Sequence, residues 1–248
     1  MNIVPVKTHK ITAKDTNLFS VLDRYIKNIS EGSILAVTSK IVSICEGRTV
    51  PIGKADKDKL IEQESQWYLD RSTNPYSVSL TITNNTLVAT SGIDESNGDG
   101  NYVLWPKDPQ KSAERVREHL KKRFNLKKIG VIITDSKTTP LRWGVTAIGI
   151  GFSGFLPLTD YIGTPDLFGR KFAFEKLSVI DSLATASAFV MGEGNEQTPL
   201  AIISDIPSIK FVDRNPTKEE LDSLVITKEE DIYSPLLNSA PWKKGNKK

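Results

Sequence analysis

A short apolar segment followed directly by polar side chains constrains this chain more than any other stretch. The segment runs from Ile129 to Ile133, and Thr134, Asp135 and Ser136 come immediately after it. A short apolar run bounded by turn residues predicts a strand that is buried on both faces of a sheet. Polar side chains at the end of such a strand lie at the edge of a crevice, the usual ligand position in α/β folds. The sequence therefore predicts a ligand site here.

Asp135 and Ser136 admit two interpretations. Their carboxylate and hydroxyl oxygens can hold a divalent cation, but an Asp in this position can also start a turn or cap a helix. Arg142 follows Pro140 a few residues later, and a guanidinium on a loop stiffened by proline suits phosphate or carboxylate recognition. The segment therefore supplies candidates for both cation and anion binding.

Strand and helix patterns alternate along the chain and predict a mixed α/β fold, with two intimate subdomains and the site between them. Strands are predicted at Ile3–Val6, Ser33–Val37 and Leu200–Ser204, with a hairpin in Tyr76–Ala89 that turns at Asn84 and Asn85. Helices are predicted at Asn17–Ile29, Asp56–Leu69, Gln110–Phe124, Glu175–Gly192 and Thr217–Leu224. Glu175–Gly192 is expected to be the longest helix, and its small residues favour a position in the centre of the fold or at a subunit contact.

Glycines recur between Gly144 and Gly154, where small and apolar residues alternate. This spacing permits close approach of the backbone to a ligand or to a neighbouring sheet. A GxGxxG pattern at Gly149, Gly151 and Gly154 is formally present. It does not join a strand to a helix, as the dinucleotide fingerprint requires, so dinucleotide binding is not inferred.

Two more loops offer a carboxylate after a regular element. Asp94 lies in the segment SGIDESNG, and Glu193 lies in MGEGNEQTP. The Asp94 loop can be an ordinary Asx-turn or a set of oxygen ligands for a hard cation, and it lacks the spaced acids of an EF-hand. Ser39 and Lys40 follow another predicted strand, where they can contact a phosphate or simply begin a helix.

Three carboxylates and two cations at the ends of predicted elements indicate a metal–phosphate centre. They are Asp94, Asp135 and Glu193, with Lys40 and Arg142. Mg²⁺ or Mn²⁺ typically takes one or two carboxylates plus nucleotide phosphates, and two such ions can neutralise charge while a phosphoryl group moves. Neither a Walker A sequence nor a kinase signature occurs in the chain. Residue spacing alone therefore leaves the metal interpretation open.

Composition narrows the class of protein. Of the 248 residues, 38% are hydrophobic and 25% are charged, so a proper core is expected and global disorder is not. The net charge of +3 is exceeded by the lysines of the basic tail after Pro241, so no nucleic-acid partner is expected. A single cysteine, Cys45, excludes an internal disulfide and fits a reducing compartment. With no apolar run of roughly 20 residues and no secretory signal, a cytoplasmic protein without a membrane segment is predicted.

Six ordered segments carry a family resemblance: VTSKIVSICEGR, SGIDESN, WPKDPQKSAERVR, ITDSKTTPLRWG, GTPDLFGR and MGEGNEQTP. Together they resemble the coenzyme F-420 γ-glutamyl ligase family (CofE-like) over residues 1–212, with 213–248 as a polar C-terminal extension. The resemblance implies mixed sheets with packed helices, a homodimer, and a GTP-dependent acid–amino-acid ligase of the peptide synthase type. GTP would phosphorylate a carboxylate of coenzyme F-420-0 or a related cofactor, and the amino group of L-glutamate would attack the acyl phosphate.

The resemblance also implies residue roles. Asp94 and Asp135 would bind one Mg²⁺ or Mn²⁺ ion, and Ser136 and Glu193 would help to bind a second, with K⁺ as a further candidate ion. Asp135 and Arg142 are the candidate catalytic residues, with Arg142 assigned to a substrate carboxylate or phosphate. The implied nucleotide-binding residues are Val6, Lys7, Thr8, Ser39, Lys40, Asn97, Gly192, Gly194, Thr198 and Pro199.

Two departures from the family pattern affect the implied nucleotide pocket. Ile44 stands where the family has a lysine after Ser43, and PVKTHK near the start lacks the glycine–proline character usual there. The choice between GTP and ATP is therefore open. Two alternative functions also remain. One is a folate-type glutamyl ligase, and the other is a nucleotide-binding module that no longer catalyses, which Ile44 favours and the three acidic residues disfavour.

Overall fold

The computed structural model describes residues 1–247 and confirms a mixed α/β fold. The strands of these residues are β1 (Asn2–Val6), β2 (Ser33–Thr38), β3 (Thr49–Pro51), β4 (Trp67–Tyr68), β5 (Leu80–Thr83), β6 (Thr86–Ala89), β7 (Asn101–Val103), β8 (Ile129–Thr138), β9 (Val145–Ser153), β10 (Leu158–Asp160), β11 (Lys176–Ser178), β12 (Leu200–Ser204) and β13 (Lys243–Lys244). The α-helices are α1 (Leu18–Tyr25), α2 (Ser39–Cys45), α3 (Lys57–Glu64), α4 (Pro109–Phe124), α5 (Val179–Met191), α6 (Lys218–Asp222) and α7 (Ser234–Ser239). Short 3₁₀ turns lie at Arg71–Thr73 and Thr90–Gly92. None of the helices in residues 1–247 combines the length and apolar character that a membrane crossing requires.

A five-stranded sheet, in the order β1-β12-β2-β8-β9, forms the centre of the fold. In this sheet β2 and β8 run parallel, and the other neighbours are antiparallel. Helices α1, α2 and α4 cover one face with apolar side chains such as Leu22, Val42 and Leu120, while α5 covers the other with Ile180 and Leu183. Cover on both faces is what strands made almost wholly of apolar residues require.

Strand β8 is buried as predicted but is longer than predicted. Ile129 and Ile133 are fully buried, and the strand continues to Thr138 after a bulge between Ile133 and Thr134. Its parallel neighbour β2 ends opposite Thr134. Asp135 is therefore part of a strand and not of a turn, and it lies just past the end of β2, where the sheet opens into a crevice.

Local sequence signals placed several elements correctly. Helix α4 begins one residue before the predicted Gln110, and the side chain of Asp108 caps it by accepting a hydrogen bond from the Lys111 amide. The predicted hairpin consists of β5 and β6 and turns at Asn84 and Asn85, both with left-handed backbone angles. Asn adopts such angles more readily than most residues, so short-range chemistry was sufficient at both places.

The predicted helix at Asp56–Leu69 is wrong in its second half. Helix α3 ends at Glu64, while Trp67 and Tyr68 form β4, which pairs with β5 on one side and β13 on the other. Strand formation depends on partners that lie far away in the sequence. The helical spacing of apolar residues in this segment could not reveal those partners.

The predicted helix at Glu175–Gly192 begins too early, and α1 is also shorter than predicted. Ser178 caps α5 by accepting a hydrogen bond from the Asp181 amide, and the residues before it form β11. With 16 residues, α4 is the longest helix of residues 1–247. Ala184 and Ser187 of α5 are fully buried where the helix packs on the central sheet, so the central position is the one observed for its small residues.

Gly149 and Gly151 in β9 allow two helices to lie directly on the sheet. A β-carbon at Gly151 would lie 2.3 Å from the carbonyl oxygen of Pro109 at the start of α4. A β-carbon at Gly149 would lie 2.3 Å from the side chain of Ile180 in α5. The predicted close approach is confirmed, but the neighbours are helices and not a ligand or another sheet.

Replacing Gly151 with alanine is expected to destabilise the fold by about 1–3 kcal/mol, because the added carbon meets backbone atoms of α4. Urea unfolding measures the change in the free energy of unfolding. Thr146→Ala, at an exposed position of the same strand, is the control and should change that free energy by no more than about 0.5 kcal/mol. Equal stability of Gly151→Ala and the wild type would contradict the close contact.

Residues 213–247 pack back onto the rest of the chain. Strand β13, formed by two lysines of the predicted basic tail, pairs with β4. Arg117 is fully buried and donates a hydrogen bond to the Asp213 carboxylate at 2.8 Å. Part of the tail is thus held in a sheet, and Lys248 lies outside the described residues. The boundary at residue 212 and the two subdomains stay predictions.

Candidate active site

A cavity of about 790 Å³ opens where β2 ends beside β8. Its walls come from the segment after β1, the β2–α2 junction, the loop after β6, the outer half of β8, and the loop between α5 and β12. The predicted site residues that line it are Thr8, Ser39, Lys40, Asp94, Asn97, Asp135, Ser136, Gly192, Glu193, Gly194, Thr198 and Pro199. The three acidic segments that are far apart in the sequence therefore meet at one site.

Three predicted site residues do not line this cavity. Val6 ends β1, and its side chain packs against the core shared by α1, α2 and α4, while Lys7 is exposed. Arg142 lies in the exposed turn between β8 and β9, where its backbone amide donates to the Thr139 carbonyl. The geometry gives no support to a direct ligand contact by these three side chains.

Asp135 accepts hydrogen bonds on both carboxylate oxygens. Its Oδ1 accepts from the Ser39 hydroxyl at 2.8 Å, and its Oδ2 accepts from the indole Nε1 of Trp105 at 2.5 Å. Burial and the nearby Asp94 carboxylate raise the pKa of Asp135 to about 7, although these two hydrogen bonds act in the opposite direction. Like charges in a poorly solvated site disfavour ionisation, so Asp94 and Asp135 form an acidic pair suited to share a cation.

Lys40 interacts with the other member of this pair. Its Nζ lies 3.0 Å from Asp94 Oδ2 and donates to the Ser96 carbonyl at 2.9 Å. Both side chains remain in contact with water, and such ion pairs contribute only about 0–1 kcal/mol. Because this pair is weak, an incoming cation or phosphate can redirect the Lys40 ammonium at little cost.

Glu193 connects the third acidic loop to the other two. The Ser136 hydroxyl lies 3.0 Å from Glu193 Oε1 and 2.9 Å from Oε2. The Asn97 side-chain amide donates to the Gly194 carbonyl at 2.9 Å. These contacts join the Glu193 loop both to β8 and to the loop that carries Asp94.

The donor set fits a hard cation that is held partly by a bound ligand. Asp94, Asp135, Ser136 and Glu193 offer oxygen atoms around one cavity. Within residues 1–247, no three His, Cys, Asp or Glu side chains stand close enough to hold a metal ion by themselves. Mg²⁺ usually takes one or two carboxylates and completes its shell with water and substrate phosphates. The site therefore fits Mg²⁺ or Mn²⁺ together with a phosphate-bearing ligand.

Sequence reasoning did not assign Trp105 or His9 to the site. Trp105 contacts Asp135 directly, and His9 lines the cavity with its ring nitrogens 2.8 Å from Tyr25 Oη and from Asp15 Oδ1. A signal for Trp105 was present, since it opens the segment WPKDPQKSAERVR and a buried indole N–H usually finds an acceptor. For His9 no local pattern pointed to its two partners.

Ile44, the departure from the family pattern, lies in the cavity wall. Its side chain is buried and lines the cavity together with Ile11 and Ile41. Apolar walls with a few polar groups are typical of small-molecule sites. Ile44 therefore adds an apolar side chain to the cavity wall, where the family pattern has a lysine.

Comparison with known proteins places the chain in a family. A family model described as F420-0:Gamma-glutamyl ligase matches residues 5–205. Coenzyme F420:L-glutamate ligase of Methanocaldococcus jannaschii is 33% identical over 239 residues, covering 88% of this chain and 90% of the relative. The protein of the same name from Methanopyrus kandleri is 31% identical over 192 residues, covering 70% and 75%. That of Methanococcus maripaludis is 43% identical over 145 residues, covering 58% and 56%. The chain belongs to the F420-0:gamma-glutamyl ligase family, which confirms the resemblance found in its sequence.

Proposed function

We propose that this protein is a γ-glutamyl ligase that joins L-glutamate to a carboxylate of coenzyme F420-0 or a related cofactor. The proposed reaction uses GTP and divalent cations and passes through an acyl phosphate. One observation carries the proposal: Asp94, Asp135 and Glu193 line one cavity. The names of the matched relatives, coenzyme F420:L-glutamate ligases, support the choice of reaction.

The chemistry explains why such a cavity is needed. A carboxylate is a poor electrophile at neutral pH, so an oxygen of the acceptor carboxylate first attacks the γ-phosphorus of GTP, and GDP leaves. The amino group of L-glutamate then attacks the acyl carbon, inorganic phosphate leaves, and the nitrogen loses a proton as the amide forms. Divalent ions, when bound, would screen the repulsion between the anionic carboxylate and the anionic triphosphate.

The chain's own residues would bind and orient the reactants. Asp94 and Asp135 would hold one Mg²⁺ or Mn²⁺ ion, and Ser136 and Glu193 would help to hold the second. Nucleotide contacts would come from the predicted residues that line the cavity, which are Thr8, Ser39, Lys40, Asn97, Gly192, Gly194, Thr198 and Pro199. Arg142 is left out of this assignment because of its exposed position, and K⁺ remains a candidate ion.

Product analysis tests the proposed activity. The purified protein is incubated with L-glutamate, Mn²⁺, GTP or ATP, and either coenzyme F420-0 or a folate, and products are identified by mass spectrometry. We expect a product one glutamate heavier with coenzyme F420-0, together with GDP and phosphate. A glutamylated folate alone would indicate the folate-type alternative. Nucleotide binding without any product would indicate a module that has lost catalysis.

We further propose that the protein acts as a homodimer. Two hairpins, β8–β9 and β10–β11, carry large apolar side chains that are almost fully exposed: Leu141, Trp143, Leu167, Phe168 and Phe174. Monomeric proteins rarely leave large apolar patches in water, and a second copy of the same surface is the commonest cover in symmetric assemblies.

Charge substitutions in the β10–β11 hairpin test the dimer. We expect Leu167→Glu combined with Phe168→Glu to weaken self-association at least about tenfold, because two exposed apolar side chains are replaced by carboxylates. Analytical ultracentrifugation measures the dissociation constant. Ile232→Glu changes an equally apolar side chain, 84% exposed, in the C-terminal extension and serves as the control. A wild-type protein that sediments as a monomer would refute the dimer.

A further inference from the structure

The indole of Trp105 contacts Asp135, one of the proposed metal-ligating residues, from outside the cavity. Its side chain is 3% exposed, and its Nε1 donates to Asp135 Oδ2 at 2.5 Å. Trp105 does not line the cavity. Trp105 can therefore influence an ion or molecule bound in the cavity only through Asp135.

Two contacts besides that with Asp135 hold Trp105 in place, one at its indole and one at its main chain. A β-carbon at Gly92 would lie 2.0 Å from Trp105 Nε1, so the ring lies directly against the glycine backbone two residues before Asp94. At the main chain, Arg48 Nε donates to the Trp105 carbonyl at 3.0 Å, and its guanidinium pairs with Glu64 at 2.7 Å. The Gly92 backbone thus bounds the indole, and Arg48 anchors the backbone that carries it, in addition to the hydrogen bond to Asp135.

The type of donor matters for the charge of Asp135. Its two side-chain hydrogen-bond donors, the Ser39 hydroxyl and the Trp105 indole, are both neutral. Neutral donors orient a carboxylate without cancelling its charge, and a carboxylate oxygen that accepts one hydrogen bond keeps further acceptor capacity. Asp94 differs, since its carboxylate is paired with the Lys40 ammonium. Asp135 is therefore oriented by neutral donors that leave its oxygens with acceptor capacity for a cation.

We propose that Trp105 is a positioning residue whose indole N–H fixes the rotation of the Asp135 carboxylate for cation binding. This inference rests on the metal site of the proposed function. Partners that orient metal ligands in this way typically contribute 10- to 100-fold to metal affinity. Trp105 would act on affinity for the cation and not on contacts with L-glutamate.

The hydrogen bond itself is tested without metal or substrate. Nitrogen-15 labelling of the indoles gives one N–H resonance for each of the four tryptophans, and single Trp→Phe substitutions at positions 67, 143 and 242 assign that of Trp105 by elimination. In the metal-free protein at pH 8, Asp135→Asn is expected to move the Trp105 resonance upfield, because the acceptor loses its charge. The resonance of Trp242, which donates to the Leu237 carbonyl, should not move. An unmoved Trp105 resonance would overturn the proposal.

The effect on affinity is measured by titrating Mn²⁺ in the presence of GTP and following free Mn²⁺ by electron paramagnetic resonance. Trp105→Phe is expected to weaken Mn²⁺ binding about 10- to 100-fold and to raise the KM for Mn²⁺ while the KM for L-glutamate stays unchanged. Trp242→Phe, which removes an indole hydrogen bond far from the cavity, should leave both values unchanged.

The two experiments separate the failure of this inference from that of the proposed function. Wild-type affinity for Mn²⁺ in a folded Trp105→Phe protein would overturn the role of Trp105 and leave the ligase proposal intact. A wild-type protein that binds no Mn²⁺ with GTP would overturn the metal site and, with it, the positioning role. If Trp105→Phe does not fold, the indole resonance in Asp135→Asn still decides whether the contact exists.

Discussion

Asp135→Asn is expected to lower ligase turnover at least about 100-fold, the scale of loss seen when one electrostatic group is removed from a catalytic site. Asparagine has the same shape as aspartate and can keep both hydrogen bonds, because its oxygen can accept from Trp105 while its amide donates to the Ser39 oxygen. The fold is therefore expected to remain intact. What is lost is the negative charge that would hold a cation beside the transferred phosphoryl group.

Steady-state kinetics with GTP, Mn²⁺, L-glutamate and coenzyme F420-0 measures this loss, and circular dichroism checks the fold. Asp160→Asn is the matched control, since it removes an exposed carboxylate that lies outside the cavity, and its turnover should equal that of the wild type. Wild-type turnover in Asp135→Asn would exclude Asp135 from the mechanism.

The same substitution is expected to make the metal-free protein more stable at pH 8, by up to about 4 kcal/mol. Burial and Asp94 raise the pKa of Asp135 from 3.8 in the reference state to about 7 in the folded protein, and each pKa unit corresponds to about 1.4 kcal/mol. The folded wild type must hold a carboxylate in a site that disfavours its charge, whereas asparagine is neutral at every pH.

The sign of the pH dependence follows from proton binding. Below about pH 4 Asp135 is protonated in both the folded and the unfolded state, so it affects stability little. Between about pH 4 and pH 7 the folded state keeps a proton that the unfolded state has lost, so stability falls as the pH rises. Above about pH 7 the full cost is present. Asp135→Asn should therefore match the wild type near pH 4 and exceed it increasingly up to pH 7.

Urea unfolding of both proteins in a chelator, at several pH values between 4 and 8, measures this difference. Comparing the two proteins at each pH cancels the contributions of all other titrating groups. Asp160→Asn again serves as the control and should show no such divergence, because its carboxylate is exposed. A stability difference that does not change with pH would show that the Asp135 carboxylate is not held in an unfavourable environment.

Short-range chemistry was enough to determine much of this fold from the sequence. The apolar run from Ile129 to Ile133 identified the central strand, the helical pattern from Gln110 located the start of α4 to within one residue, and Asn84 with Asn85 marked a hairpin. Each of these signals depends on residues within a few positions of each other. The motifs around Asp94, Asp135 and Glu193 also identified the family, because they occur in the right order along the chain.

Tertiary structure alone decided features that depend on distant partners. Trp67 and Tyr68 form a strand because β5 and β13 lie beside them. Asp135 faces a cavity because β2 ends opposite Thr134, one residue before Asp135 along β8. Arg142, although near Asp135 in sequence, is carried away from the cavity by the length of the β8–β9 hairpin.

By itself the sequence determined the family, the mixed α/β class, and the chemical types of side chain available at the site. Only the tertiary structure decided which of those side chains share one cavity and that the indole of Trp105 supports Asp135. The physical reason is range: capping, turn and periodicity signals act over a few residues. The contacts at Asp135, by contrast, join Ser39, Trp105 and β8, which meet only after the sheet has assembled.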